Sequence, residues 1–206
     1  MIYIQLCVGK VQNILHLFEM EGNQMNQLEK AQQLATKAHE NQTRKNSSEP
    51  YIEHPKRVAM LLKEAGFPEK VVIAGYLHDV VEDTPITIED IRDQFGEEVA
   101  EIVAYHTEDK TLSWEERKQH TINAFKTAPY YVQALIIADK LDNLQSVVEQ
   151  YKQMGDKVWD AFKRGKEQQA WYNCSIAKEI PQLENPPLYF ERYKQLVEQF
   201  FQNGGK

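Results

Sequence analysis

The stretch PEKVVIAGYLHDVVEDT, residues 68–84, decides the fold class of this chain. Its apolar residues Ile73, Ala74, Leu77 and Val81 fall at i, i+1, i+4 and i+8, the spacing of one buried helical stripe. The pair Thr84–Pro85 ends the pattern. The stretch therefore predicts a helix over residues 68–83 that packs its apolar side into a core.

Outward from this stretch, the chain continues as helix after helix, without the apolar–polar alternation typical of strands. The predicted helical segments cover residues 28–40, 54–66, 68–83, 87–96, 97–106, 113–128, 130–155, 158–180 and 188–201. We predict one compact all-α domain over residues 26–206, including the C-terminal helices, with residues 1–25 as an N-terminal extension of unassigned role.

The composition of the chain disfavours several classes of function. The 206 residues are 42% hydrophobic and 27% charged, with a formal net charge of −7. An acidic chain disfavours long nucleic acid as a partner, because that binding needs a broad basic surface. Residues 1–18 lack the basic start and cleavage site of a secretory signal and the length of a membrane span. Two distant cysteines, Cys7 and Cys174, fit a reducing, cytoplasmic compartment.

The same stretch gathers one imidazole and three carboxylates, from His78, Asp79, Glu82 and Asp83, along the border of the apolar stripe. Burying such a cluster costs several kcal/mol per charge unless a cation or hydrogen-bond donors compensate. A solvated helix face with a satisfied histidine explains this stretch alone equally well. Other parts of the chain decide between the two interpretations.

Two further residues favour a metal site. His54 opens a predicted helix, and Asp139 lies within the apolar run of residues 135–141, where an unpaired carboxylate is costly. Lys140 is a poor partner for Asp139, because successive helical residues diverge by about 100°. Together with His78 and Asp79, these residues form a two-histidine, two-carboxylate set suited to Mn²⁺, Fe²⁺ or Zn²⁺. Without thiolate ligands, a closed structural zinc site is not expected.

The order His, His-Asp, Asp resembles the signature of the HD-domain metal-dependent phosphohydrolases, an all-α superfamily. The motifs that carry a narrower resemblance are RKNSSEPYIEHPKRVAMLL, YLHDVVEDTPIT, HTEDKTL and ADKLDNL. They resemble the hydrolase domain of the RelA/SpoT alarmone enzymes and their small stand-alone relatives, over about residues 28–180. The resemblance implies a Mn²⁺-dependent enzyme of the stringent response that removes the 3′-pyrophosphate from guanosine tetra- and pentaphosphate (ppGpp and pppGpp).

The resemblance also implies roles for individual residues. The metal ligands would be His54, His78, Asp79 and Asp139. Glu82 and Asp83 would activate the attacking water. Arg44 and Lys45 would hold the pyrophosphate, as suits a guanidinium fork and a lysine point charge, and Asn143 would contact the nucleotide. His106 is expected to have a structural or supporting role rather than to bind the metal.

The chain departs from the family pattern at two positions. The family commonly has an aromatic residue or histidine before the asparagine and an arginine two residues after it, whereas this chain has Asp142 and Gln145. If both face the site, they weaken binding of a highly anionic nucleotide. A phosphatase for another small nucleotide phosphoester therefore stays open, as does a catalytically idle nucleotide sensor stabilised by its metal. The residues do not assign an oligomeric state.

Overall fold

The computed structural model describes residues 26–202, and helices dominate this part of the chain. In chain order they are α1 Gln27–Ala38, α2 Glu53–Glu64, α3 Glu69–Leu77, α4 Val80–Asp83, α5 Ile88–Phe95, α6 Glu97–His106, α7 Trp114–Thr127, α8 Tyr130–Met154, a 3₁₀ helix Gly155–Ala161, α9 Gly165–Lys178, α10 Leu188–Val197 and a π-helical turn Glu198–Gln202. Within residues 26–202 the only extended pairing is a single bridge between Thr43 and Pro50. The predicted all-α fold is confirmed. Residues 1–25 lie outside the described part, so the predicted domain boundary at residue 26 stays a prediction.

The stretch over residues 68–83 is one helix in the prediction but two in the structure. The α-helical hydrogen-bond pattern is interrupted at His78 and Asp79, although both keep right-handed helical φ and ψ angles, and it resumes as α4. The cause is local: the His78 ring binds the carbonyl of Gly75 through Nδ1 at 2.8 Å. That oxygen is the acceptor that the Asp79 N–H would use in a continuing helix. The break turns His78 and Asp79 toward the interior.

Helix ends follow the chemistry of their sequence. Ser113 and Glu116 form a capping box at the start of α7, with both reciprocal hydrogen bonds present. The segment predicted as one helix over residues 158–180 is instead a 3₁₀ helix and α9, separated at residues 162–164. Gly165 follows with φ +67°, a conformation that glycine adopts without a steric penalty.

The core forms where α2 and α3 pack side by side, with α1 against α3 and α8 against α2. Of the predicted stripe, Ile73, Ala74 and Leu77 are buried, and Val81 is partly buried and packs against the core. The centre of α8, residues 134–139, is also buried, and α10 covers its far side. Among residues 26–202, no helix has both the length and the hydrophobicity that crossing a bilayer requires.

Gly75 sets how closely α2 and α3 approach. A Cβ at this position would lie 2.8 Å from Cδ1 of Leu62 and 3.1 Å from Cα of Ala59. The leucine tip can rotate away, but the α2 backbone must shift. Because α2 carries His54 and α3 ends beside His78, the absence of a side chain at Gly75 also fixes the separation of the two imidazoles.

Gly75→Ala should therefore lower the free energy of unfolding by about 1–3 kcal/mol, the usual cost of overpacking a core. Urea unfolding measures it. Glu101→Ala, an exposed change on α6, should stay within about 0.5 kcal/mol and serves as the control. Equal stability of Gly75→Ala and the unmodified chain would contradict the close approach of α2 and α3.

Candidate metal centre and adjoining cavity

The structure brings the four predicted ligands together. His54 lies in the first turn of α2, His78 and Asp79 occupy the break after α3, and Asp139 lies in the middle of α8. His54 Nε2 is 3.2 Å from His78 Nε2 and 3.2 Å from Asp139 Oδ1. Asp79 Oδ2 is 3.2 Å from His78 Nε2 and 3.5 Å from His54 Nε2. All four residues are buried.

Both imidazoles present Nε2 to the centre because their other nitrogen is already engaged. His78 Nδ1 donates to the Gly75 carbonyl at 2.8 Å, and His54 Nδ1 donates to Asp142 Oδ2 at 2.7 Å. Neither acceptor can donate a proton, so in the neutral imidazoles the lone pair resides on Nε2. This tautomer is the one in which each histidine can bind a metal toward Asp79 and Asp139.

The electrostatics of the centre demand a cation. Burial by itself lowers the pKa of His54, but hydrogen bonds to the surrounding carboxylates outweigh it and raise that pKa to about 9. The pKa of His78 rises to about 10 for the same reasons. Burial likewise opposes ionisation of Asp79 and Asp139, yet their cationic neighbours hold both pKa values well below the usual range. Protons and a divalent metal therefore compete for these imidazoles.

The donor set fits a divalent metal. Two donor atoms about 2.1 Å from one ion lie about 3.0 Å apart at a right angle and about 3.4 Å apart at the tetrahedral angle. The Nε2 and carboxylate distances span 3.2–3.8 Å, and His54, His78 and Asp139 meet the spacing of a metal-binding group. Nitrogen and oxygen donors without thiolate suit Mn²⁺, Fe²⁺ or Zn²⁺.

Asp142 does not face a nucleotide, which corrects the expectation that its charge weakens anion binding. It is buried on α8, accepts the hydrogen bond from His54 Nδ1, and pairs through Oδ1 with Arg57 Nε at 2.5 Å. Arg57 also forks onto Glu49 at 2.7 and 3.1 Å. Burial raises the pKa of Asp142, but hydrogen bonds from His54 and Arg57 lower it overall. Its charge thus orients a predicted ligand.

Lys140 pairs with Asp139, contrary to the sequence prediction. Its Nζ lies 2.7 Å from Asp139 Oδ2. The Cα–Cβ directions of the two residues do diverge, but four methylene groups let the ammonium curve back to the carboxylate. Burial lowers the pKa of Lys140, and the Asp139 charge outweighs that effect and raises it well above the ordinary value.

Glu82 and Asp83 lie one turn beyond the metal-ligand pair and share a lysine. Lys110 Nζ is 2.9 Å from Asp83 Oδ1 and 3.8 Å from Glu82 Oε1. Burial raises the pKa of the Glu82 carboxyl, and the negative charge of Asp79 raises it further. The Tyr51 hydroxyl donates to Asp79 Oδ2 at 2.8 Å and lies 3.4 Å from Asp83 Oδ2. These contacts tie the carboxylate pair to the centre.

A cavity of about 590 Å³ adjoins the centre. Tyr51, Lys140 and Asn143 line it and also hydrogen-bond to Asp79 or Asp139. The predicted pair Arg44 and Lys45 is part of the same lining. Glu82 and Asp83 lie beside the cavity rather than among its lining residues. The remaining lining is partly aromatic and partly cationic, including Trp114, Lys118, Trp159, Phe162 and Tyr172.

Of the residues that the sequence analysis connects with substrate binding, Arg44, Lys45 and Asn143 line the cavity. Arg44 Nη2 donates to Asn143 Oδ1 at 2.7 Å, so the loop cation and the asparagine of α8 form one unit. Lys45 Nζ lies 5.0 Å from the centre of the Phe162 ring. Gln145 is not a lining residue, so its expected effect on a bound nucleotide does not apply directly.

Among the basic and aromatic residues of 163–172, Tyr172 lines the cavity, whereas Lys163, Arg164, Lys166 and Trp171 do not. Trp171 instead packs against the hydrophobic core.

Sequence reasoning missed several residues near the centre. Arg57 and Tyr51 carry no signal of their own, because their partners are 85 and 28 residues away in the chain. His106, at the end of α6, has Nε2 3.4 Å from Asp139 Oδ2 and its ring 4.8 Å from that of His78. The HTEDK motif marked His106 as a residue of interest, but a sequence motif does not show which way the imidazole ring points.

The fold and these four predicted ligands define a helical His/His-Asp/Asp protein, and comparison with known proteins narrows the class. A family profile described as HD domain matches residues 31–166, more than half of the chain. The chain therefore belongs to the HD domain family.

Several relatives share the sequence pattern. The human guanosine-3′,5′-bis(diphosphate) 3′-pyrophosphohydrolase MESH1 is 38% identical over 129 residues, which cover 61% of this chain and 72% of MESH1. The bifunctional (p)ppGpp synthase/hydrolase SpoT of Escherichia coli K12 is 39% identical over 104 residues, half of this chain but only 15% of SpoT. The chain thus spans a small part of the long relatives it matches.

Solved structures share the fold. The 1.85 Å crystal structure of lmo0812 from Listeria monocytogenes EGD-e has 52% identity and a TM-score of 0.68, covering 72% of this chain and 99% of that one. A metazoan ortholog of SpoT, described as hydrolysing ppGpp and acting in starvation responses, has 26% identity and a TM-score of 0.70. That match covers 87% of this chain and 98% of the other.

Asp142→Asn should weaken metal binding by about 10- to 100-fold, the usual effect of losing a carboxylate that orients a ligating histidine. Competition titration with Mn²⁺ measures it. Glu49→Gln removes the other carboxylate of Arg57 without touching His54 and should leave affinity nearly unchanged. An equal loss in both variants would show that the role of Asp142 is general charge balance rather than the orientation of His54.

Proposed function

We propose that this chain is a metal-dependent pyrophosphohydrolase that removes the 3′-pyrophosphate from guanosine tetra- and pentaphosphate. The observation that carries the proposal is the buried His54, His78, Asp79 and Asp139 cluster, which adjoins a cavity lined by cations and aromatic rings. Membership in the HD domain family and the activity named for human MESH1 support it. The free Cys174 fits a cytoplasmic enzyme.

The four clustered residues would hold one divalent ion, with Mn²⁺ as first choice and Fe²⁺ or Zn²⁺ as alternatives. When bound, such an ion polarises a phosphoryl oxygen and lowers the pKa of water. The chain itself supplies the tautomer control: Gly75 and Asp142 fix Nδ1 of His78 and His54 as donors. Both imidazoles are therefore aligned before the ion arrives.

Glu82 would take the proton from the attacking water. Its pKa is raised by burial and by Asp79, which makes its carboxylate a stronger base than an exposed glutamate. Asp83, held by Lys110, would orient the same water. Water adds to the phosphorus attached to the ribose 3′ oxygen, and the bond between that phosphorus and oxygen breaks. The proton taken by Glu82 can then pass to the departing 3′ oxygen.

The cavity would hold the rest of the nucleotide. Arg44 is already fixed by Asn143 and presents its remaining N–H groups, while Lys45 and Lys118 add charge along the same wall. Guanidinium and ammonium groups suit a pyrophosphate that carries several negative charges. Trp114 lines the cavity and is partly exposed, and its indole provides an apolar face on which a base can stack.

A phosphatase for a different nucleotide phosphoester is the second candidate, and the cavity is also the observation that keeps it. Cations and aromatic rings recognise any phosphorylated nucleoside, whereas guanine requires specific hydrogen bonds. The orientation of Asp142 away from the cavity removes one argument for this candidate. An idle sensor is disfavoured, because sensing alone gives no use to the Glu82 and Asp83 pair.

The test is turnover by the purified chain, loaded with Mn²⁺, of guanosine tetraphosphate beside a panel of nucleotide mono- and diphosphates. We expect guanosine diphosphate and pyrophosphate in equal amounts, resolved by ion-exchange chromatography. Asp139→Ala should lose both bound Mn²⁺ and turnover. Release of phosphate from a simple nucleotide, with no pyrophosphate from guanosine tetraphosphate, would favour the second candidate and refute the first.

Glu82→Gln should keep Mn²⁺ bound while kcat falls by about 100-fold or more, the usual scale for a lost general base. Metal content by elemental analysis and steady-state kinetics separate the two effects. Glu101→Gln, exposed on α6, is the matched control and should retain full kcat. Near-normal turnover of Glu82→Gln at saturating metal would exclude Glu82 as the base, and Asp83→Asn would then be the variant to compare.

A further inference from the structure

The two ligand carboxylates use only one oxygen each toward His54 and His78. For Asp79 this oxygen is Oδ2, and for Asp139 it is Oδ1. The other oxygens point to a third imidazole: His106 Nε2 lies 3.4 Å from Asp139 Oδ2 and 4.0 Å from Asp79 Oδ1. The arrangement therefore has a second side, with its own nitrogen donor.

This second side has the composition of a metal-binding group. His78, Asp79 and His106 offer donor atoms that all lie within 4.8 Å of one another. The two nitrogens of His78 are already engaged, one by the Gly75 carbonyl and one by the first position, so His106 is the nitrogen donor of the second side. A carboxylate that binds one ion through each oxygen is a bridge, and two-metal sites of hydrolytic enzymes place their ions about 3.5–4 Å apart. We call the region between Asp139 Oδ2, Asp79 Oδ1 and His106 Nε2 the second-cation position.

The contacts of His106 within residues 26–202 give it no role at the second-cation position other than its approach to the two carboxylates. Its ring is buried and stacks edge-on against His78 at 4.8 Å between centroids. Its Nδ1 is buried and has no hydrogen-bond partner among the described residues. The contacts of this side chain are therefore concentrated at Nε2, on the carboxylates.

A cation of the chain itself already holds one of the three atoms that define this position. Lys140 Nζ is 2.7 Å from Asp139 Oδ2, the same oxygen that His106 approaches. The ammonium is nearly enclosed, with its side chain 14% exposed, and lies 5.3 Å from the centre of the Tyr172 ring. An ammonium and a divalent metal cannot share one carboxylate oxygen at such distances without strong repulsion.

We propose that the Lys140 ammonium takes the place of a second metal ion, so that the centre holds one ion and a fixed lysine instead of a metal pair. The inference rests on the proposed metal-dependent function. It assigns His106 as a latent ligand, silent while Lys140 is present. It also gives Lys140 a use at the cavity wall, where its two remaining N–H groups can meet a phosphoryl oxygen.

Lys118 provides a matched control. Lys118 lines the same cavity, and its Nζ lies 5.1 Å from the centre of the same Tyr172 ring. This ammonium pairs with Glu108 at 2.6 Å rather than with a ligand carboxylate. Removal of either lysine subtracts one buried positive charge from the cavity. Only removal of Lys140 frees Asp139 Oδ2 for a second ion.

The experiment measures bound Mn²⁺ per chain by equilibrium dialysis and elemental analysis, with electron paramagnetic resonance to detect coupled ions. The unmodified chain should bind one ion with an isolated-ion spectrum. Lys140→Met should bind a second ion and give the spectrum of a coupled pair. Lys118→Met should stay at one ion, and Lys140→Met combined with His106→Ala should return to one. Lys140→Gln repeats the test if Lys140→Met does not fold.

Three results would overturn the inference. A Lys140 variant that folds and still binds one ion shows that no second position exists. A double variant that keeps two ions removes His106 from it. Two ions on the unmodified chain show that Lys140 does not exclude the metal. None of these affects the proposed function, which fails separately if the unmodified chain binds no Mn²⁺ or releases no pyrophosphate.

Discussion

The constraint on which this structure depends is negative charge buried in the core. Asp79, Asp139 and Asp142 are all at most 9% exposed and meet around one histidine, His54. Carboxylates so close together cannot all stay ionised in a core unless cations surround them, because an uncompensated buried charge costs several kcal/mol. The arrangement of α2, α3 and α8 follows from this need as much as from apolar packing.

Positively charged groups compensate these buried carboxylates from three directions. Arg57 neutralises Asp142 from the partly exposed side of α2, Lys140 neutralises Asp139 from the cavity, and the two imidazoles face the middle. What remains between His54 and His78 is a position for positive charge that protons fill in the absence of metal, which is why both pKa values are raised. Gly75 makes this geometry accessible in two ways, through its missing side chain and through its carbonyl.

Sequence alone could identify the helices and the four clustered residues, because periodicity and an aspartate inside the apolar run of α8 are local signals. It could not place Asp142 or Lys140. Asp142 binds His54 and Arg57 across 88 and 85 residues, so whether it faces the ligand or supports it depends on how α2 packs on α8. Whether Lys140 reaches Asp139 depends on the rotamer of the lysine side chain. The sequence argument considered only the directions in which successive residues leave a helix. The break at His78 was missed because a ring nitrogen competing for one carbonyl leaves no trace in hydrophobic spacing.

The distribution of charge also explains how an acidic chain can bind a more acidic ligand. The net charge of −7 is spread over the whole chain, whereas the cavity wall concentrates Arg44, Lys45, Lys118 and Lys140. A concave site with low-dielectric walls focuses the field of its own charges, so local cations outweigh distant carboxylates. Arg44 is held by Asn143, which itself donates to Asp139, so the proposed phosphate-binding cation and the proposed metal-binding carboxylate are parts of one hydrogen-bonded chain. Under the proposed function, a ligand that binds Arg44 would act on the orientation of Asp139 through Asn143.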